Sequence, residues 1–302
     1  MSYIYYPGCS LKGTGRAYEE SLLAVLKALE VDIRELDDWN CCGATSYMSV
    51  SELKAFALCA RNFALAEQQA KETGMTDLIV PCAACYLGLN KAKRYLDQYP
   101  DTRRKIDEAL ATANLAYRNH IRIRHPLDVL VNDIGTERIT AAVKCSLEGL
   151  KVACYYGCQI IRPYAEFDDQ ENPTTMNQIV WALGAKTVDW PLKTRCCGGS
   201  LTGTVQDVGQ RLSYILLREA TLRGADVIIT ACPLCQFNLE CYQSDMSRRF
   251  KTSIDIPVLY FTQLIGIALG VSSRQLAMQR LFVPFDAKAK LDQVAGGQHV
   301  TS

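Results

Sequence analysis

A chain of 302 residues can bury one large hydrophobic core or two smaller ones. Its hydrophobic fraction of 49%, charged fraction of 22% and formal net charge of +1 give no electrostatic basis for a nucleic acid or an anionic membrane as partner. Residues 1–13 hold no basic stretch leading into an apolar one, so no secretory signal is expected.

In chain order, the first expected element is a short strand, Tyr3 to Tyr6, running into Pro7-Gly8-Cys9. A helix follows over roughly Arg16 to Leu29, with Leu22, Leu23, Leu26 and Leu29 at helical spacing. A second strand over Val31 to Leu36 leads to Cys41-Cys42-Gly43. A longer helix rich in Ala, Leu and Glu covers Ser51 to Thr73. The apolar run Leu78-Ile79-Val80-Pro81 then enters Cys82-Ala83-Ala84-Cys85 and a further helix.

Residues 100–148 read as a charged, largely helical connector containing Arg122, Arg124, Asp128 and Asp133. The scheme then restarts. A strand over Val152 to Tyr156 ends at Gly157-Cys158, and a helix covers about Thr174 to Leu183. A strand over Lys186 to Trp190 precedes Cys196-Cys197-Gly198, and a helix spans Val205 to Arg223. The apolar strand Val227 to Thr230 enters Cys232-Pro233-Leu234-Cys235. The run 258–271 contains Thr262 and Gln263 and is too short for a bilayer, so a soluble, cytoplasmic protein without a transmembrane segment is expected. Beyond Gln279 the periodicity fades into a C-terminal arm ending near Gly296-Gly297-Gln298-His299. Its Leu281 to Phe285 segment is expected to pack on its own chain rather than on a partner.

Strands alternating with helices of 10–20 residues predict an α/β fold. The internal repeat divides it into two pseudo-symmetric, Rossmann-like halves, 1–148 and 149–302. Each half is expected to have a short parallel sheet with cysteines at the C-terminal ends of its strands, where open α/β sheets place their ligands.

Ten of the 14 cysteines belong to the repeat. The intervals are 31 and 39 residues in the first copy, 37 and 34 in the second. A disulfide framework is disfavoured for a cytosolic chain. A C-x-x-C pair alone is ambiguous between zinc, an iron–sulfur cluster and a redox dithiol. Adjacent cysteines diverge from the backbone and chelate a single tetrahedral ion awkwardly. Each copy also supplies five thiolates, one more than a structural zinc or an ordinary cubane takes. An iron–sulfur cluster of unusual shape is therefore favoured over zinc. None of the three histidines, His120, His125 and His299, is beside these cysteines, and a solvated or helix-capping role is expected of His120 and His125. Cys59, Cys145, Cys154 and Cys241 read as core residues. Tyr5-Tyr6 and Tyr155-Tyr156 read as strand packing, with hydroxyls near a cluster as the alternative. The sequence has neither a P-loop nor a dinucleotide-binding loop, so electrons are expected from another polypeptide.

The doubled C-x(31–37)-C-C-G-x(33–38)-C-x-x-C pattern resembles the CCG family. Tyr6-Pro7-Gly8-Cys9, Trp39-Asn40-Cys41-Cys42-Gly43, Ala231-Cys232-Pro233-Leu234-Cys235 and Val258 to Leu264 resemble its branch formed by the B subunits of heterodisulfide reductases. The 39-residue interval is slightly long for the pattern and points to a small insertion near the 51–73 helix. The resemblance implies two noncubane [4Fe-4S] clusters, one held by Cys9, Cys41, Cys42, Cys82 and Cys85, the other by Cys158, Cys196, Cys197, Cys232 and Cys235. It also implies reductive cleavage, or formation, of a disulfide of small thiol cofactors without a side-chain nucleophile. The partners it implies are a small ferredoxin-like subunit and a flavin-bearing subunit of the same heterodisulfide reductase-type complex. Two other readings compete: a CCG-type electron-transfer subunit of a glycolate, lactate or succinate oxidising system, and a non-catalytic, zinc-stabilised interaction module.

Overall fold

The computed structural model describes residues 1–44 and 46–297 and contains two four-stranded sheets in which every strand pair is parallel. The first sheet comprises β1 (Ser2–Tyr5), β2 (Asp32–Glu35), β3 (Asp77–Ile79) and β4 (Arg122–Arg124), in the order β2-β1-β3-β4. The second comprises β5 (Lys151–Tyr155), β6 (Lys186–Thr187), β7 (Val227–Thr230) and β8 (Val258–Tyr260), in the order β6-β5-β7-β8. The α/β architecture with two matching halves follows the sequence reading, and the register is regular, with Ile4 opposite Leu78 and Cys154 opposite Ile229.

In each sheet the chain leaves the first strand, pairs on one side, then crosses over to the other. The strand order thus reverses between β1 and β3, and again between β5 and β7. That reversal opens a crevice at the C-terminal strand ends. Cys9 follows β1 and Cys82 follows β3; Cys158 follows β5 and Cys232 follows β7. The fold itself therefore delivers the first and fourth cysteine of each set to the same crevice.

The central strands are hydrophobic because both faces are covered. Ile4, Leu78 and Ile79 are fully buried, as are Val152, Val227, Ile228 and Ile229. Each such side chain contributes about 1.5–3 kcal/mol on burial. The chain divides into two compact units, 1–13 with 31–129, and 14–30 with 130 onward. The helix Arg16–Ala28 belongs to the second unit, against the helix Phe261–Ala268. There the Tyr18 ring stacks on Tyr260 with centroids 4.6 Å apart, and Ser21 Oγ lies 2.6 Å from Thr262 Oγ1.

Two strands were not expected. β4 falls inside the segment read as a helical connector, because its alternation, Ile121-Arg122-Ile123-Arg124, is short and half of it is arginine. Its charges are matched locally: Arg122 Nη2 lies 2.6 Å from Asp77 Oδ2, and the buried Arg124 pairs with Asp77 and Asp128. β8 is the start of the apolar run 258–271, whose continuation is the helix Phe261–Ala268. The predicted small insertion is visible as helix length. Glu52–Thr73 has 22 residues and Gln206–Leu222 has 17, and those five residues are the whole difference between the two intervals.

The segment 281–285 is tied to its own chain by its backbone, while the Phe282 side chain stays exposed, so the expected apolar packing is only partial. The N–H groups of Phe282 and Val283 donate to Glu240 Oε1 at 3.0 and 3.2 Å. A helix, Ala287–Gly297, follows, and His299 lies outside the described residues. No helix among the described residues is long and apolar enough to cross a membrane.

Candidate metal centre

Each unit gathers its sulfurs by three local devices. The first is the glycine before the leading cysteine. Gly8 and Gly157 have φ of +66° and +68°, a region that disfavours side chains. A Cβ on Gly8 would stand 2.9 Å from Cys85 Sγ, and one on Gly157 would stand 3.1 Å from Cys235 Sγ. Both glycines thus form a cradle that only a hydrogen can line. The second device is a helix N-terminus. Cys82 and Cys232 occupy the N-cap positions of the helices Ala83–Gln98 and Pro233–Cys241, placing Cys85 and Cys235 in the first turn. The third is the Cys-Cys-Gly turn, with φ of +72° at Gly43 and +103° at Gly198.

The two sets match in exposure. Cys42, Cys82 and Cys85 are buried, as are Cys197, Cys232 and Cys235, while Cys41 and Cys196 are exposed. Cys9 is exposed and Cys158 half-buried. In the first set Cys42 Sγ lies 3.1 Å from Cys85 Sγ, and Cys41 Sγ lies 3.7 Å from Cys9 Sγ. In the second, Cys197 Sγ lies 3.5 Å from Cys235 Sγ. Among the described residues no group of three or more His, Cys, Asp or Glu side chains stands ready-made around an ion; the thiols hydrogen-bond to one another.

That hydrogen bonding sorts the protons. Hydrogen bonding with Cys41 and Cys85 holds the Cys42 thiol well below its ordinary range, and the same bonds push Cys41 and Cys85 up. Cys82 is lowered by the Cys85 thiol and by backbone N–H groups of the helix start. In the second set hydrogen bonding with Cys158 and Cys197 brings Cys196 down to about 2. Cys197 is pushed up to about 11 by its bond to Cys196, and Cys158 and Cys235 are raised by their bonds to neighbouring thiols. Five sulfurs in one partly buried pocket cannot all ionise without a counter-cation. A polynuclear iron group fits this donor set: soft sulfur donors in surplus of four, a side-chain-free cradle, and helix N-termini facing the negative charge.

Supporting residues surround each pocket, among them the tyrosines singled out in the sequence; Ser213 escaped that reading. The hydroxyl of Tyr6 donates to the carbonyl of Asn40 at 2.9 Å, and that of Tyr155 donates to the carbonyl of Arg195 at 2.6 Å. Asn40 and Arg195 each immediately precede the cysteine pair. The two tyrosines align when the repeats are registered on Gly-Cys, and that alignment was the available signal. Both rings are fully buried, Tyr6 edge-on to Trp39 and Tyr155 beside Trp190, so packing and hydrogen bonding coexist. Behind the turn, the Cys59 thiol donates to the carbonyl of Cys42 at 3.2 Å, and the Ser213 hydroxyl donates to the carbonyl of Cys197 at 2.8 Å. Cys59 is thus a core residue that also braces a ligand loop.

The remaining expectations divide. Cys154 is buried in β5, beside a separate cavity of about 240 Å³ that also involves Trp181 and Trp190. Cys241 is only half-buried, and Cys145 is exposed in the loop after the helix Thr136–Ala142, so Cys145 is no core residue. His120 is exposed. His125 is not solvated: it is fully buried, and its Nδ1 accepts from Leu127 N at 3.2 Å as a helix cap.

The CCG cysteine-rich domain family matches the chain twice, over residues 3–90 and 152–240. Among curated proteins, the 8-methylmenaquinol:fumarate reductase membrane anchor subunit of Wolinella succinogenes is 32% identical over 278 residues, covering 91% of this chain and 95% of that one. The B subunit of the ferredoxin:CoB-CoM heterodisulfide reductase of Methanosarcina mazei is 30% identical over 296 residues, covering 96% and 97%. Among solved structures, a hypothetical protein from Helicobacter pylori shares the fold with a TM-score of 0.74 at 16% identity, over 94% of this chain and 52% of that one. The two family matches enclose all ten cysteines of the paired sets, and the chain belongs to the CCG cysteine-rich domain family.

Proposed function

We propose that this chain is the catalytic iron–sulfur subunit of a cytoplasmic, heterodisulfide reductase-like oxidoreductase complex. The observation that carries the reading is the pair of five-sulfur pockets, matched in burial and in supporting hydrogen bonds. Cys9, Cys41, Cys42, Cys82 and Cys85 would hold one noncubane [4Fe-4S] cluster, and Cys158, Cys196, Cys197, Cys232 and Cys235 the other. When bound, such a cluster supplies single electrons and an iron Lewis acid for sulfur.

The chain's own residues define the approach. Cys82, Cys85, Cys232 and Cys235 close the inner side of each pocket, while Cys41 and Cys196 reach solvent. A small disulfide therefore meets each site from the side of Cys9 and Cys41, or of Cys158 and Cys196. Tyr6 and Tyr155 hold the backbone ahead of the cysteine pairs, and their protons point at carbonyl oxygens. Cleavage of one disulfide takes two electrons and two protons and yields two thiols. The electrons come from partner subunits of the ferredoxin-like and flavin-bearing kinds, and the protons from solvent.

The test is EPR of the anaerobically purified, oxidised protein with and without candidate thiols. A thiol-dependent paramagnetic signal supports sulfur binding at a cluster. Intact clusters that respond to no tested thiol favour a second reading, a subunit that only passes electrons. The 32% identity to a fumarate reductase subunit is the observation behind that alternative. Stoichiometric zinc without iron would identify a zinc-stabilised interaction module instead.

A further inference from the structure

The two pockets differ most behind the second cysteine of the pair. In the second unit Asn238 is fully buried, three residues after Cys235 on the same helix. Its Nδ2 lies 3.4 Å from Cys197 Sγ and 2.9 Å from the carbonyl of Gly199. Thr202 Oγ1 lies 2.7 Å from its Oδ1. A carbonyl can only accept, so the Gly199 contact fixes which end of the amide is NH₂. One amide hydrogen is thereby committed to the ligand sulfur.

The equivalent place in the first unit, three residues after Cys85, is Gly88. A Cβ there would meet the Ala44 methyl at 3.3 Å, and the Met48 methyl at 3.9 Å. The space that holds an amide in one half is filled by methyl groups in the other. In the first unit the donor facing Cys42 is the Tyr6 hydroxyl, whose single proton is shared with the Asn40 carbonyl at 2.9 Å, whereas Asn238 has two amide hydrogens, one for each acceptor. A second difference points the same way. The Arg162 guanidinium acts electrostatically on Cys196 and donates to the Thr194 carbonyl. The nearest counterpart on the turn after Cys9, Lys12, is neutralised by Glu35 at 2.9 Å.

Hydrogen bonds to ligand sulfur and nearby positive charge both stabilise a reduced iron–sulfur centre, whose sulfurs carry more negative charge. We infer that the two sites are unequal electron acceptors: the second is reduced first, and Asn238 is the positioning residue that sets this order through Cys197. The inference rests on the proposal that each pocket holds a cluster. Electrons delivered by a partner would then settle beside Cys197 before the first site is reduced.

The experiment is an anaerobic, EPR-monitored redox titration of the iron- and sulfide-loaded full chain. Wild type should show two transitions, and Cys197→Ala should lack the one at higher potential. Asn238→Leu should weaken reduction at that transition about tenfold, about 59 mV for one electron, and leave the other in place. Arg162→Gln, changed at a partly exposed position, should move the same transition in the same direction by less. Iron and sulfide content confirms that each variant is loaded. Loss of the lower transition in Cys197→Ala overturns the inference. So does a loaded Asn238→Leu or, where that variant fails to fold, a loaded Arg162→Gln whose two transitions stay at their wild-type potentials. A wild-type chain that takes up no iron sinks the cluster reading first, and this inference with it.

Discussion

The first and second sulfur pockets are built from the same parts and biased differently. Both use a glycine cradle, a helix-capping cysteine and a tyrosine hydroxyl that pins the chain ahead of the cysteine pair. Yet the thiols lowered by their neighbours are the buried Cys42 and Cys82 in one and the exposed Cys196 in the other. The polar brace behind the turn is Cys59 in the first and Ser213 with Asn238 in the second. Duplication thus preserved where the sulfurs stand, and the surroundings diverged in the groups that tune them.

The comparison breaks most directly on the ligands. Cys42→Ala and Cys197→Ala should each lower bound iron to about half, because the sets are separate, as measured by iron and sulfide per chain. Unchanged iron in either variant would show the assignment to be wrong.

The next largest effects concern pH, and the two units should respond in opposite directions. Burial depresses His125 to about 3, against a weaker opposing bond to the Pro81 carbonyl. Its contribution is complete above pH 6.5 and is lost as pH falls towards 3. Burial raises Glu240 to about 7. Its contribution is complete below pH 4.5 and is lost as pH rises through 7. The windows are worth on the order of 5 kcal/mol for His125 and 3 kcal/mol for Glu240. In thermal melts across pH, His125→Asn should flatten the acid side, and Glu240→Gln should flatten the decline in stability between pH 4.5 and 7. Curves that keep their wild-type shape would exclude these groups as the source.

Smaller effects sharpen the match between the cradles. Gly8→Ala and Gly157→Ala impose left-handed backbone on a side chain, at about 1–2 kcal/mol, and press a methyl towards Cys85 or Cys235. Iron retained under chelator challenge should fall in both, and further in Gly8→Ala, where the approach is closer. Tyr6→Phe and Tyr155→Phe each remove one hydrogen bond, at about 1 kcal/mol. The larger loss of melting temperature is expected for Tyr155, whose bond is 2.6 Å against 2.9 Å. An equal or reversed ranking would mean that the tyrosines serve chiefly as packing.

Much of this was legible in the sequence because it depends on short, local patterns. Apolar runs ending in Gly-Cys or C-x-x-C marked strands that feed a crevice, and the repeat doubled every signal. β4 stayed hidden because its two arginines are satisfied by Asp77 and Asp128, 45 residues away and four residues on, and no local pattern records such pairing. The roles of Asn238 and Glu240 are likewise long-range: one meets Cys197, 41 positions earlier, and the other meets Val283, 43 positions later. The buried state of His125 follows from tertiary packing against Tyr86. The tyrosine hydroxyls were within reach, since registering the repeats on Gly-Cys places Tyr6 over Tyr155.

The five extra residues of the helix Glu52–Thr73 have a practical consequence. That helix differs in length from its counterpart while the Cys-Cys-Gly and C-x-x-C motifs on either side of it are the same, so the spacer accommodates extra residues. Its far end is Gly74, at φ +75°, where an added Cβ meets nothing within 4 Å. A fluorescent reporter or affinity handle spliced into that tip would leave the chemistry of both pockets intact.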